Sequence, residues 1–347
     1  MLVEIKSISG KTLYVAENVS SIKEAVEQAV RSDISLAGAD LGNADLGNAD
    51  LRNADLIHAD LVGADLYQAD LSGANIDAAD LRHADLRSAN LIHADLRNAD
   101  LRYAKLRYAK LREAKLHQAD LSKADLSTAD LRRADFREAD LSHADLNGAD
   151  LSKADLSTAD LHHTDLRYAK LHHATLCSAD LCNAKLHHAD ISEADLGLAN
   201  LREADLRNAD LSFANLFEAD FREADLSHAD LSLANLIGAD LRYAKLHYAT
   251  LGSADLSHAD LSHADLSSAY LGLASLHHAN FSNAKLNHAI LHHAELTCAI
   301  LCNADLSGAN IDDAEFYHAD LRLAILDGIN VGAAQLEGAI ISDEFSL

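Results

Sequence analysis

The chain has 347 residues, a formal net charge of −26 and no proline. A negative charge of this size argues against direct binding to nucleic acid or to an anionic membrane as the main activity. Four cysteines in a chain of this length do not make a disulfide framework, and no stretch is apolar for long enough to span a bilayer.

Residues 1–33 are the only part of the chain that lacks a short repeat. Apolar and polar residues alternate along residues 2–7 and 12–17, which predicts two strands joined by a turn at Ser9-Gly10-Lys11. The first residues also lack the apolar segment of a signal peptide, so we expect a cytoplasmic, reducing environment.

A helix should follow the two strands. Ser20 or Ser21 can cap its first turn, with Glu24 near the capping-box position, and the apolar residues share one face as far as about Arg31. Residues 1–33 would then form a small N-terminal α+β cap. Repeat arrays need such a cap because an open end exposes apolar core and unpaired backbone.

From Leu36 to Ile341 every fifth residue is apolar, nearly always Leu, and the residue two places before it is nearly always Ala. The phase never breaks, so this stretch holds 62 units in succession. Successive leucines would drift by roughly 140° around an α-helix, and on a continuous strand they would alternate between faces. Each unit must therefore combine a short extended segment with a corner, which winds the chain into a solenoid with an interior of Leu and Ala.

Two positions break the Ala pattern, Thr164 and Ile329. Thr164 places a hydroxyl in the interior, where it needs a backbone hydrogen-bond partner. Ile329 is too large for the site of an Ala, so we expect the last coils to loosen there.

Units such as Ala-Asp-Leu-Ser-His (Ala139 to His143) and Ala-Asn-Leu-Ile-His (Ala89 to His93) resemble those of pentapeptide-repeat proteins, and the resemblance covers about nine tenths of the chain. It implies an all-β solenoid, a right-handed quadrilateral β-helix with four pentapeptides per coil and with the central Leu and the Ala pointing inward. With twenty residues per coil, the repeat domain of residues 34–341 would make about 15 coils and a rod roughly 75 Å long. The family also implies a bacterial protein.

Residues 342–347 form a short C-terminal tail. Phe345 and Leu347 can fold over the last coil, or two molecules can meet end to end and bury their last coils. We favour a homodimer through the C-terminal coils.

An acidic stripe is predicted on one face when the residues that precede Leu are lined up twenty positions apart. Like charges about 4.8 Å apart repel each other, so the stripe needs either neutralisation by flanking arginines or a use. In the simpler interpretation, Asp suits the corner and keeps the molecule soluble. The stripe consists of Asp60, Asp80, Asp100, Asp120, Asp140, Asp160, Asp180, Asp220, Asp240 and Asp260.

The resemblance offers a functional interpretation of the acidic stripe. Quinolone-resistance members of the pentapeptide-repeat family are acidic rods that occupy the DNA groove of a type II topoisomerase. The repeats here carry about one charge per 3.3 Å, roughly half the density of duplex DNA. The sequence departs from those members because it has no projecting loops and no C-terminal aromatic helix, and because its repeats are more regular.

One coil, residues 101–120, carries a basic belt and a net charge of +4. Tyr103 and Tyr108 alternate with its arginines along the sequence, and this combination of residues can bind nucleic acid or phosphate. Pairing of the belt with aspartates in the coils above and below is the favoured interpretation. The belt consists of Arg102, Lys105, Arg107, Lys110, Arg112 and Lys115.

Histidines are abundant, and one vertical ladder supplies nitrogen and sulfur donors of the kind that bind Zn²⁺ or Ni²⁺. The ladder consists of His258, His278, Cys298 and His318. A flat ladder suits a tetrahedral site poorly, so we expect no resident metal. Protonating all 21 histidines would change the formal charge from −26 to −5, so binding that depends on charge should weaken below about pH 6.

Outward-facing apolar residues gather in the later repeats and form a contiguous patch over about three coils. Such a patch predicts docking of a protein partner or self-association. The apolar patch consists of Leu198, Phe213, Phe217, Leu233 and Ile237.

The sequence contains no recognisable nucleophile–base pair, phosphate-binding loop or closed metal site. We therefore expect a non-enzymatic protein without cofactors that acts as a protein-binding or structural scaffold. The alternative is an acidic DNA mimic that binds DNA gyrase, another topoisomerase or another DNA-binding protein. Direct contacts with nucleic acid or membrane are not expected.

Overall fold

The computed structural model describes residues 1–329 and 336–341. The chain forms two compact units, Met1–Thr175 (unit 1) and Leu176–Leu347 (unit 2). Within the described residues, the regular elements all belong to unit 1. They are β1 (Val3–Lys6), β2 (Thr12–Ala16) and α1 (Ile22–Arg31).

β1 and β2 pair as an antiparallel hairpin with a bulge after Ile5. The Ser7 N–H donates to the Lys11 carbonyl at 2.8 Å and closes the turn between the strands. Gly10 takes a φ of +82° in this turn, a left-handed conformation that glycine adopts without steric cost. Both strands lie within the ranges that the alternation predicts.

α1 starts at the predicted cap. Ser21 is the N-cap, and its hydroxyl accepts a hydrogen bond from the Glu24 N–H at 3.2 Å. The Glu24 carboxylate turns back and accepts from the N–H and the hydroxyl of Ser20, at 2.6 and 2.8 Å. These bonds satisfy donors that a helix start leaves open. The buried face of α1 consists of Ala25, Val26 and Ala29.

Each pentapeptide closes on one short turn, which Leu41–Ala44 illustrates. The Ala44 N–H donates to the Leu41 carbonyl at 3.0 Å, and Asn43, the third residue of the turn, has a φ of +56°. A positive φ at this place is what a type II turn requires. The second residue after each Leu, here named the turn residue, keeps a positive φ throughout the described repeats, whatever its side chain.

Residues twenty positions apart pair across neighbouring coils within each unit. Asp40 and Asp60 form a parallel bridge, and the same pairing recurs along the repeats. The Leu41 N–H donates to the Asp60 carbonyl of the following coil at 2.8 Å, while the Asp60 N–H donates back to Ala39 at 2.9 Å. Paired residues are therefore four pentapeptides apart, and the stacking is held by backbone hydrogen bonds.

Leu and Ala side chains fill the interior of both units. Almost all of them are fully buried, and phenylalanines take four of the Leu positions without becoming exposed. Burying one Leu contributes about 1.5–3 kcal/mol, so the repeated core is the main favourable contribution to folding. The four phenylalanines are Phe136, Phe221, Phe281 and Phe316.

Thr164 is fully buried at a position that Ala occupies in most units. Its hydroxyl donates to the Leu141 carbonyl at 2.9 Å. The predicted need for a backbone partner is thereby confirmed.

The N-terminal hairpin pairs with backbone groups of the first coil. The Ile8 N–H donates to the Gly38 carbonyl at 2.9 Å, and the Asp40 N–H donates to the Lys6 carbonyl at 2.8 Å. An edge that would otherwise be open to another chain is covered at these points.

α1 covers the same coil with two charged side chains one helical turn apart. The Lys23 ammonium donates to the Gly47 carbonyl at 2.7 Å, and the Glu27 carboxylate accepts from the Asp50 N–H at 3.0 Å. Side chains at i and i+4 lie on one helix face, so they can replace the backbone partners that a preceding coil would supply.

At the other end of the repeats, Ile329 is only half-buried, whereas the Ala residues at its position in earlier coils are buried. Residues 330–335 and the tail of residues 342–347, with Phe345 and Leu347, lie outside the described residues. The predicted loosening of the last coils and the predicted homodimer contact remain predictions.

The described part of the chain contains no helix with the length and apolar character needed to cross a membrane, since α1 has 10 residues.

Glu27→Ala should lower the free energy of unfolding by about 1–2 kcal/mol, because the Asp50 N–H loses its acceptor at the edge of the first coil. The shift in urea midpoint, followed by circular dichroism, measures this effect. Glu17→Ala is the control because the Glu17 side chain is exposed in the segment between β2 and α1. An unfolding curve for E27A that matches the wild type would show that the helix does not support the coil edge in this way.

Candidate functional site

Where Asp or Asn precedes the Leu, its side chain supports the turn. The Asp140 carboxylate accepts a hydrogen bond from the Ser142 N–H at 2.8 Å, and the Asn280 side-chain oxygen accepts from the Ser282 N–H at 3.0 Å. This arrangement is an Asx turn, which Asp and Asn form equally well. The Asx turn is therefore a structural reason for the frequent Asp at this position. It does not prevent the same carboxylates from also binding a partner.

Arginines neutralise part of the acidic stripe in unit 1. Arg82 binds the Asp80 carboxylate through Nε and Nη2, at 2.8 and 2.6 Å, and its Nε lies 3.5 Å from Asp100 in the next coil. Arg102 binds Asp100 in the same way and lies 3.4 Å from Asp120. The hydrogen bond from Arg82 holds the pKa of Asp80 below its ordinary value. Flanking arginines thus balance the repulsion along this stretch.

The stripe in unit 2 repeats this alternation. Arg222 binds Asp220 and lies 3.4 Å from Asp240, and Arg242 binds Asp240 and lies 4.0 Å from Asp260. Each guanidinium therefore serves one carboxylate within its own coil and a second in the next.

The other stripe aspartates have no arginine or lysine within ion-pair distance in the described chain. Asp60 and Asp140 keep only the backbone bonds of their turns. Asp160 contacts the His162 ring at 2.5 Å, and Asp180 accepts from the Asn200 amide at 2.8 Å. The stripe is thus a mixture of neutralised and exposed carboxylates.

The basic belt is partly paired with neighbouring aspartates. Besides Arg102, Lys115 lies 3.8 Å from the Asp95 carboxylate in the preceding coil. Lys105 and Lys110 are exposed. The pairing predicted across coils is therefore present for two of the six belt residues.

The remaining belt arginines contact different groups. The Arg107 guanidinium lies 4.9 Å from the centre of the Tyr108 ring, a cation–π contact. Arg112 lines a groove of about 410 Å³ together with Arg132, Arg133 and Lys153. Binding of phosphate or nucleic acid by this belt stays a prediction.

The histidine ladder stacks its rings. The His258 and His278 rings are 4.9 Å apart and 6° from parallel, and His318 Nδ1 lies 3.3 Å from the Gly338 carbonyl. Cys298 is the turn residue of the coil between His278 and His318. Parallel rings hold their nitrogens side by side, whereas a tetrahedral metal needs donors that converge on one point. This geometry gives no reason to propose a metal at the ladder.

The apolar patch lies at the surface of unit 2. Leu198, Phe213 and Leu233 are turn residues with φ of +62°, +59° and +60°, and they are 56%, 59% and 51% exposed. Phe217 is also exposed, and Ile237 is half-buried. Bulky apolar side chains are unfavourable in the left-handed conformation, so neither burial nor backbone geometry explains this placement.

The three segments that contain the patch carry formal charge of one sign only, which is negative. Residues 189–199, 209–219 and 229–239 lie in three successive coils, as the bridges between Asp195, Asn215 and Asn235 show. These three segments contain all five patch residues and six carboxylates, but no Lys, Arg or His. The patch is therefore an apolar surface with an acidic frame.

Neither the left-handed conformation of the turn residue nor the stacking of rings at this position in successive coils was predicted from the sequence. The His83 and Tyr103 rings stack at 5.0 Å, and the Tyr243 and His263 rings stack at 4.8 Å. The only available signal was the frequent Asn and Gly at this position, because both tolerate a positive φ.

The sequence model of the family described as pentapeptide repeats matches successive segments between residues 34 and 328. No curated protein matches the sequence. Among solved structures, HetL from the cyanobacterium Nostoc sp. strain PCC 7120, a pentapeptide repeat protein involved in the regulation of heterocyst differentiation, is 37% identical. The comparison covers 65% of this chain and 92% of HetL, with a TM-score of 0.32.

Two further solved structures are similar to this chain. QnrB1, a plasmid-mediated fluoroquinolone resistance protein, is 20% identical over 57% of this chain and 90% of its own, with a TM-score of 0.29. A pentapeptide repeat protein from the thylakoid lumen of Arabidopsis thaliana is 31% identical over 36% of this chain and 70% of its own, with a TM-score of 0.23.

Five-residue turns with a Leu and Ala interior define a repeat protein whose outward side chains vary from unit to unit. The chain belongs to the pentapeptide-repeat family. Proteins of this family are generally structural or binding proteins.

The Arg207–Asp205 pair in unit 2 predicts a dependence of stability on pH. Hydrogen bonds of 2.7 Å from Arg207 to both carboxylate oxygens lower the pKa of Asp205 from 3.8 to about 2. Because the folded pKa is below the unfolded value, the pair stabilises the folded state above about pH 4, and this contribution is lost as the pH falls toward 2. Arg207→Gln should lower the urea midpoint of unfolding at neutral pH relative to the wild type. Near pH 2 the variant and the wild type should have similar urea midpoints.

Arg202→Gln is the matched control for this prediction. Arg202 occupies the same place in its unit but follows Asn200, which cannot titrate. Its substitution should give a change in urea midpoint that depends less on pH, because Arg202 makes no ion pair with Asp220 and only helps to lower the pKa of that carboxyl from a distance. A difference between R207Q and the wild type that stays constant down to about pH 2 would contradict the assigned pairing.

Proposed function

We propose that this protein is a non-enzymatic scaffold that binds a protein partner through the apolar patch. The partner would be a segment that presents apolar side chains flanked by Lys or Arg. The observation that carries the proposal is the exposure of Leu198, Phe213 and Leu233 in a left-handed conformation that disfavours them.

The acidic frame supports the chemistry of the partner. Six carboxylates surround the patch without a cation in the same three segments. A cationic segment would therefore gain electrostatic attraction on approach and hydrophobic burial once docked. An anionic or purely polar partner would gain neither.

The scaffold itself is proposed to be the right-handed quadrilateral β-helix of the family, with about 15 coils. In this proposal residues 1–33 cap the first coil and residues 34–341 form the repeat domain. We place the protein in the bacterial cytoplasm, where a reduced state suits its cysteines, whose described side chains form no disulfide.

Replacing Phe213 and Leu233 by Asn should weaken binding of a synthetic amphipathic Leu/Lys peptide by tenfold or more, that is by about 1.4 kcal/mol. Asn suits the left-handed turn, so the double variant should remain folded. Isothermal titration calorimetry measures the affinity, and Thr158→Asn at another turn residue is the matched control.

Two further peptides make the test decisive. A Leu/Glu peptide and a Lys peptide with Ser in place of Leu should both bind weakly. Equal binding of the Leu/Lys peptide to the wild type and to F213N/L233N would mean that charge alone attracts it. Loss of self-association in that variant, measured by sedimentation, would instead identify a second copy as the occupant of the patch.

DNA mimicry is the second candidate function, and the carboxylates of Asp60 and Asp140, which have no arginine or lysine within ion-pair distance in the described chain, are what favours it. The residue two places after each is Val62 and Ser142, whereas an arginine occupies that place after Asp80 and Asp100, so no arginine balances the charge of these two carboxylates. An acidic surface of this kind would compete with DNA for a topoisomerase and would do so less well at high salt.

Asp60→Asn with Asp140→Asn removes charge and keeps the Asx turns, because Asn supports the same bond at Asn280. If the protein mimics DNA, the wild type should inhibit gyrase supercoiling at low salt and the double variant should not. The pair Asp80→Asn with Asp100→Asn is the matched control, because arginines already neutralise these carboxylates. Equal supercoiling with and without the wild-type protein would remove this candidate.

A further inference from the structure

We propose that unit 2 contains a binding site for a small molecule with a planar heteroaromatic ring, at Ser268 between Tyr248 and His288. The site is separate from the apolar patch and does not depend on the proposed function. It arises from a gap in a column of stacked rings.

Turn residues of successive coils stand one above another, so rings at this position stack. The His228 and Tyr248 rings are 5.1 Å apart and 10° from parallel, and the Tyr243 and His263 rings are 4.8 Å apart and 4° from parallel. These distances match the spacing between hydrogen-bonded strands, about 4.8 Å. A ring at every turn residue would therefore give a continuous stack.

Ser268 interrupts one such column. His228 covers one face of the Tyr248 ring, but the next turn residue offers only a hydroxymethyl group, and Tyr248 is 61% exposed. On the far side His288 leans away toward Gly308, since a Cβ on Gly308 would lie 2.7 Å from His288 Nδ1. The space of one ring is thus left open beside Tyr248.

Three other tyrosines at turn positions have a ring or a cation over one face. The Lys123 ammonium lies 5.4 Å from the centre of the Tyr103 ring, and the Arg107 guanidinium lies 4.9 Å from that of Tyr108. Tyr243 is covered by His263. Tyr248 differs from Tyr103 and Tyr243 because its next turn residue is as small as Ser and places neither a ring nor a cation over its second face. In the column of Tyr108 the next turn residue is Thr128, and the Arg107 guanidinium is the group that contacts the ring.

The gap opens into a groove of about 710 Å³, a size that suits a small-molecule ligand. The Asn287 side-chain oxygen lies 2.7 Å from the Ser267 hydroxyl, and its amide nitrogen has no hydrogen-bond partner within the described chain. That nitrogen can donate a hydrogen bond to a heteroatom at the edge of a ring. Ring stacking with edge hydrogen bonds selects a heteroaromatic ligand of purine or indole size.

Isothermal titration calorimetry with the full chain tests the site, with adenosine and indole as planar probes and cyclohexanol as the non-planar control. The wild type should bind at least one planar probe saturably. Ser268→His, which fills the gap, and Tyr248→Asn, which removes the stacking surface, should each weaken binding by about 5- to 150-fold, the range for loss of one stack.

Matched variants separate this effect from changes in folding. Ser253→His adds the same ring at a turn residue that lies between Leu233 and Leu273, and Tyr243→Asn removes a tyrosine that is already covered. Both should bind as the wild type does, and so should Ser268→Ala, which leaves the gap open. Absence of saturable binding by either planar probe, equal binding by S268H, or equal binding of cyclohexanol would overturn the proposal.

Discussion

The hydrogen bond from each Ala N–H to the carbonyl of the preceding Leu is the constraint on which the repeat depends. It closes a four-residue turn whose third residue, the turn residue, lies in the left-handed region, as at Asn43 between Leu41 and Ala44. That conformation costs an ordinary L-residue about 1–2 kcal/mol. Burial of the flanking Leu and Ala, with backbone bonds to neighbouring coils, offsets this cost in every unit.

This constraint gives the five positions of each pentapeptide different structural roles. Leu and Ala fill the interior, and the residue before Leu supports the turn through its side chain, as Asp140 does for Ser142. The turn residue and the residue before it need only remain outside, so their chemistry is free to vary. The apolar patch, the arginines of the acidic stripe and the ring columns all use these two positions.

The period of five predicted the interior because Leu and Ala are the apolar residues that recur in phase, and it therefore also predicted that the Thr164 hydroxyl would need a backbone hydrogen-bond partner. The N-terminal strands and helix followed from ordinary alternation and capping. The period alone does not say which outward residues meet, because that depends on how many units make a coil. The contact of Arg82 with Asp100 is an example, since it needs the pairing of residues twenty positions apart.

The left-handed turn escaped prediction for a different reason. Side chains at this position include Asn43 and Gly63, which favour a positive φ, but also Thr128, Phe213 and Glu218, which do not. Intrinsic preference is a weak guide when a core and a hydrogen-bond ladder impose the same backbone on every unit. The columns of stacked rings could not be predicted for the same reason, because they exist only if the side chains of successive turn residues point the same way.

The placement of charge in unit 2 bears on whether the apolar patch is used. Arg202, Arg207, Arg222 and Arg242 all lie outside the three segments that carry the patch. Within those segments the carboxylates repel one another, and the apolar side chains remain in water. Solubility would explain the carboxylates alone, and chance would explain one exposed Leu, but neither explains both in the same three coils. A partner with both cationic and apolar side chains would reduce the repulsion between the carboxylates and bury the exposed apolar side chains. One kind of partner therefore explains both features of this surface.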